Sequence, residues 1–110
     1  PNSDDVRDAP ALAVANMLAT AGADVHVHDP EGMANARRAQ PELSYENSMN
    51  EACRDADLVC VLTEWADFRN ADPVALGEIV AGRKVVDGRN CLDSALWTQA
   101  GWEYRGMGRP

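Results

Sequence analysis

Leu58-Val59-Cys60-Val61-Leu62, followed at once by Thr63-Glu64-Trp65, is an unbroken apolar run that stops abruptly at polar residues. Apolar character without alternation predicts a central strand covered on both faces, as in a parallel sheet. The run is too short to cross a membrane, and so is every other apolar stretch of the chain. On both sides of it, helical and strand patterns alternate. That order predicts an α/β fold with a mostly parallel sheet.

Upstream, Asp8 and Pro10 suit the start of a helix. Ala11, Val14, Ala15 and Leu18 recur at i, i+3, i+4 and i+7 and mark its apolar face, and Gly22 stands where a left-handed cap belongs. Val25 and Val27 alternate with polar neighbours in a strand over Asp24–His28, which Asp29-Pro30 ends. Glu31–Gln40 reads as a helix stopped by Pro41. Ser48-Met49-Asn50-Glu51 is a capping box that opens a short helix through Cys53.

Downstream, Asp72-Pro73 opens a helix whose buried stripe is Leu76, Ile79 and Val80, with Gly82 closing it. Lys84–Asp87 is a strand. Asp93 or Ser94 caps a helix through Ala100, closed by Gly101. Trp102–Arg105 alternates large apolar with charged residues, as an edge strand does, and Gly106–Pro110 forms a loose tail. The chain opens on Pro1-Asn2-Ser3-Asp4-Asp5, a loop running into a helix, where a doubly wound sheet would have a strand. The expectation is therefore a Rossmann-like three-layer sandwich lacking its first strand by truncation. The gap would lie between the strands at 24–28 and 58–62, closed by their direct pairing or by another chain.

The 110 residues suit one domain spanning 1–110. A net charge of -8 argues against nonspecific contact with nucleic acid or anionic membranes, so a phosphate-bearing ligand would need local arginines. Cys53, Cys60 and Cys91 form no CxxC pair and show no metal-ligand spacing. Such sparse usage, with no signal peptide, fits a cytoplasmic protein.

Asp87-Gly88-Arg89-Asn90 follows a strand, where open α/β sheets bind ligands. Gly88 allows close backbone approach, and the Arg89 fork matches phosphate oxygens. A salt bridge from Arg89 to Asp87 or Asp93 is the alternative. Thr63-Glu64-Trp65 also lies beyond a strand end, a position equally suited to a ligand and to local packing by Trp65 and Phe68. Asp29 stands where dinucleotide-binding units carry a ribose-binding acid, but no GxGxxG precedes it, so a loop cap is the better reading. Arg7, among Asp4, Asp5 and Asp8, reads as a solvated ion pair. His26 and His28 have no evident third ligand, so no metal site is assigned. No cysteine is placed as a nucleophile, and no catalytic residue is assigned.

Several stretches, taken in order, resemble the UDP-glucose/GDP-mannose dehydrogenase family. They are Pro1-Asn2-Ser3-Asp4-Asp5-Val6-Arg7-Asp8-Ala9-Pro10, His28-Asp29-Pro30 and Thr63-Glu64-Trp65-Ala66-Asp67-Phe68, followed by Val86-Asp87-Gly88-Arg89-Asn90, Cys91-Leu92-Asp93 and Gly101-Trp102-Glu103-Tyr104-Arg105-Gly106-Met107-Gly108. The Thr-Glu-Trp form looks most like members that act on UDP-glucose. The resemblance implies a C-terminal, Rossmann-like domain that binds the nucleotide sugar. In such enzymes an N-terminal NAD-binding domain carries a catalytic cysteine, and a long central helix makes the dimer. Together they oxidise the sugar C6 alcohol to a carboxylate in two NAD-dependent steps. By resemblance, Arg89 binds the UDP-sugar and Arg7 contacts the cofactor NAD across the cleft. The partners implied are the rest of the same enzyme and, in full length, further copies of it as a homo-oligomer. A family Phe-Lys pair expected just before Pro1 is missing, and Cys91 departs from the family pattern. The chain alone is expected to be inactive. The alternatives are a sibling acting on GDP-mannose or a UDP-N-acetyl sugar, and a free-standing nucleotide-binding regulatory module.

Overall fold

The computed structural model describes residues 13–29, 33–62 and 66–106. The chain divides into two compact units, Pro1–Ala52 and Cys53–Pro110. Every strand pairing among the described residues is parallel, so the chain has the expected α/β, Rossmann-like character.

In the first unit, helix α1 covers residues 13–20 and is followed by Gly22 at φ 102°, the left-handed position that glycine takes without strain. Strand β1 (His26–Val27), helix α2 (Met33–Ala39), strand β2 (Ser44–Tyr45) and helix α3 (Met49–Cys53) come next. The serine half of the capping box is present at α3, where the Glu51 N–H donates to Ser48 Oγ at 3.1 Å. The Tyr45 hydroxyl lies 2.9 Å from Ala36 O and 2.6 Å from Gln40 O. Those carbonyls lie at the carboxyl end of α2, where they also accept main-chain N–H groups, Ala36 O from Gln40 and Gln40 O from Leu43.

Two expectations for this unit are corrected. The stripe read on α1 is covered only in part: its Ala15 is buried, Val14 and Leu18 are 38% and 36% exposed, and Ala11 lies outside the described residues. The covered side is carried by small residues, Ala15 and the half-buried Ala19 one turn on. The second correction concerns β1. Among the described residues it pairs with β2, a two-residue strand absent from the sequence reading, in the register His26↔Ser44 and Val27↔Tyr45.

The second unit holds strand β3 (Val59–Val61), short helices α4 (Ala66–Arg69) and α5 (Pro73–Gly77), strand β4 (Lys84–Asp87), helix α6 (Ser94–Gln99) and strand β5 (Glu103–Gly106). The sheet order is β3-β4-β5, with Cys60 opposite Val86 and Val85 opposite Tyr104. The expected central strand is thus an edge of the described sheet. Leu58 is 46% exposed and Cys60 only half-buried. Val85 of β4, 1% exposed, holds the centre instead. Gly106, expected to open a loose tail, still pairs with Asp87, and 107–110 lie outside the described residues.

Local caps set where the helices of this unit begin. Asp72 accepts from the N–H groups of Val74 and Ala75, and Asp93 from that of Leu96, each satisfying donors that a helix start leaves open. α5 ends at Gly77, not at Gly82. Gly82 instead lets the chain pass close to a neighbouring segment, since a Cβ there would stand 3.0 Å from Asp57 O. Trp97 and Trp102, both buried, meet edge-to-face with centroids 4.8 Å apart, a geometry worth about 0.5–1.5 kcal/mol beyond area burial. The Trp102 indole N–H donates to Pro73 O at 2.8 Å and fastens α5 to the start of β5. Arg83 donates from Nε to Gly77 O and from Nη1 to Ala100 O, both at 3.2 Å. One guanidinium therefore serves the carboxyl ends of α5 and α6, where a cation is favoured.

Candidate functional site

The site is built at the carboxyl end of β4, where the chain turns through Asp87-Gly88-Arg89-Asn90 toward α6. Gly88 passes close to β3: its N–H donates to Val61 O at 2.8 Å, and a Cβ would lie 3.1 Å from both Val61 O and Leu62 Cδ2. Asn90 takes φ 53°, a left-handed conformation that asparagine tolerates better than most residues.

Asp87 organises this turn. Its side chain is fully buried. Oδ1 accepts the Arg89 N–H at 3.2 Å, and Oδ2 accepts the Leu92 N–H at 2.8 Å and the Tyr104 hydroxyl at 2.8 Å. The Cys91 N–H adds a further hydrogen bond, and Cys91 Sγ lies 3.8 Å from Oδ1. Burial alone would raise the carboxyl pKa. The bonds from Leu92, Tyr104, Cys91 and Arg89 outweigh it and hold the group below its ordinary value, so the buried carboxylate stays charged. Tyr104 reaches Asp87 along one face of the sheet, since its own register partner is Val85, two residues earlier.

Arg89 is exposed on this turn. Its main-chain N–H is fixed by the Asp87 carboxylate while its side chain is presented at the surface. Sequence reasoning singled out Arg89 and missed Asp87 as its organiser. An aspartate before glycine at a strand end is the signal that was available, although the Tyr104 contact comes from a strand 17 positions away.

Arg7 and Thr63-Glu64-Trp65 lie outside the described residues. Asp29 is half-buried just beyond β1. His26 bridges carboxylates, with Nδ1 2.7 Å from Glu46 Oε2 and Nε2 3.2 Å from Asp24 Oδ2, and His28 Nδ1 is 3.0 Å from Glu46 O. The hydrogen bonds to Glu46 and then Asp24 raise the His26 pKa. Among the described residues no three His, Cys, Asp or Glu side chains are grouped to hold a metal ion. None of the described helices is long and apolar enough to cross a membrane. Burial pushes the Cys53 thiol up to about 11 and raises that of Cys60, which keeps both protonated and poorly nucleophilic.

Parallel strands joined through short helices, with a polar turn at a strand's carboxyl end, define a Rossmann-like α/β domain of the nucleotide-binding class. The chain belongs to the UDP-glucose/GDP-mannose dehydrogenase family, and residues 1–94 match the model of its UDP binding domain. It is 40% identical to a UDP-glucose 6-dehydrogenase of Rhizobium meliloti (strain 1021), over 100% of this chain and 25% of that protein. It is 37% identical to UDP-glucose 6-dehydrogenase YwqF of Bacillus subtilis (strain 168), over 99% of this chain and 25% of that protein. The chain thus spans about a quarter of the length of these relatives. Among solved structures, an NDP-N-acetyl-D-galactosaminuronic acid dehydrogenase from Methanosarcina mazei Go1 matches with a TM-score of 0.78 at 26% identity, covering 96% of this chain and 22% of that one.

Proposed function

We propose that this chain is the nucleotide-sugar-binding part of a cytoplasmic, NAD-dependent dehydrogenase that oxidises UDP-glucose to UDP-glucuronate, with Arg89 holding the nucleotide sugar. The observation that carries the proposal is the exposed Arg89 on a turn pinned from inside by Asp87. In a chain of net charge -8, a fixed arginine at a strand's carboxyl end is a local exception that a phosphate would seek. The names of the two bacterial relatives support UDP-glucose as the substrate.

The chemical role is positioning. Binding energy from the UDP end, which does not react, is used to orient the sugar carbon that does. The described residues do not form an NAD site of their own, because the sequence has no GxGxxG turn to let backbone approach a pyrophosphate. The dinucleotide would be held mainly by the rest of the enzyme, with Arg7 reaching it across the cleft. As one domain over 1–110, joined to that remainder in a homo-oligomer, the chain contributes half of a site and no nucleophile.

NADH formation by the full-length enzyme tests this directly, with UDP-glucose, GDP-mannose and UDP-N-acetyl sugars compared. The expected result is activity with UDP-glucose and none from the 110-residue chain alone. Activity only with a UDP-N-acetyl sugar would favour the sibling specificity, which the name of the Methanosarcina structure supports. Activity with no nucleotide sugar would contradict the proposal.

A further inference from the structure

The backbone N–H groups of the turn after β4 are already engaged. Gly88 donates to Val61 O at 2.8 Å and Asn90 to Asp87 O at 3.4 Å. Arg89 and Leu92 donate to the Asp87 carboxylate. In many nucleotide-binding turns such amides face outward and cradle phosphate. Here the amides are engaged within the protein, those of Arg89 and Leu92 by the buried Asp87 carboxylate itself. With these amides engaged, the positive charge that the turn offers a phosphate is the Arg89 side chain, which is exposed.

We propose that Asp87 is a positioning residue of the nucleotide-sugar site, anchored by Tyr104, and that it fixes the direction in which Arg89 leaves the sheet. The inference rests on the assignment of Arg89 to the nucleotide sugar. Its physical content is preorganisation. An exposed arginine on a mobile turn would lose main-chain freedom on binding, whereas here that freedom is removed during folding. Tyr104 adds a second support. Its hydroxyl holds Oδ2 from β5, so the carboxylate is gripped from the turn on one side and from the neighbouring strand on the other.

A double-mutant cycle separates positioning from general stability. UDP is titrated calorimetrically into the full-length enzyme, into Tyr104→Phe, into Arg89→Ala and into the double variant. Tyr104→Phe keeps the ring and removes only the hydroxyl bond. It is expected to weaken UDP binding about fivefold, as for one lost hydrogen bond, and to add nothing once Arg89 is alanine. If Arg89→Ala leaves UDP affinity unchanged, the assignment of Arg89 fails and this inference fails with it. If Arg89→Ala weakens binding but Tyr104→Phe has no effect, or an equal effect in both backgrounds, positioning alone is overturned. Should Tyr104→Phe not fold, amide exchange in the unaltered enzyme gives the answer. Slow exchange at Arg89 and Leu92 supports the inference, and exchange as fast as in an open loop contradicts it.

Discussion

His26 and Asp87 are both anchored by hydrogen bonds, yet their pKa values move in opposite directions from their ordinary positions. His26 accumulates charge beside Glu46 and Asp24, and its folded-state pKa is raised. Its contribution is therefore complete below the unfolded value of about 6.5 and is lost as pH rises through the folded value. The side chain is 37% exposed and Asp24 is 85% exposed, so screening limits the effect to less than about 1 kcal/mol. Thermal melts of the wild type and of His26→Gln should differ most just below the unfolded value of about 6.5 and converge as pH rises through the raised folded-state value. A gap that widens on the alkaline side would show that His26 does not act through its charge. Residue-scale chemistry of this kind was partly legible in the sequence. The alternation that puts His26 and His28 on one strand face is local, but Glu46 reaches them only through β2, a two-residue strand between turns with no alternation to betray it. Asp87 was hidden for the same reason: its turn is readable, whereas its burial and its Tyr104 partner depend on the β4–β5 register.

The helix starts were the most legible elements, because caps involve residues only two or three apart. Asp72, Ser48 and Asp93 all accept the N–H groups their spacing implied. Asp72→Ala should lower stability by about 1 kcal/mol, seen as a shift of the denaturant midpoint with the slope unchanged. No shift would mean that α5 is held by the Trp102 indole bond to Pro73 O and by Arg83 at its far end, and that the cap is redundant. Strand position was less legible. The apolar run at Leu58–Leu62 correctly predicted a strand, but apolar content reports how side chains are covered and not how many edges are paired. β3 accordingly sits at the edge of its described sheet with Leu58 exposed. Helix α1 misled for a related reason. Of its apolar stripe only the small Ala15 is buried, while the larger Val14 and Leu18 stay exposed.

At the scale of the whole chain, the ordered motifs led to the family before any single contact did, and the family model covers residues 1–94. What the molecule does with that fold is concentrated in one place. An acidic chain carries an exposed arginine on a turn whose amides are engaged within the protein. The proposed function depends on that arginine more than on any other residue. Titration of UDP into the full-length enzyme and its Arg89→Ala variant is the most direct measurement. Binding is expected to weaken by about 1.5–3 kcal/mol, roughly tenfold to a hundredfold, with the melting temperature unchanged. An Arg89→Ala enzyme that binds UDP as tightly as the wild type would contradict the role given to Arg89 and, with it, the proposed site.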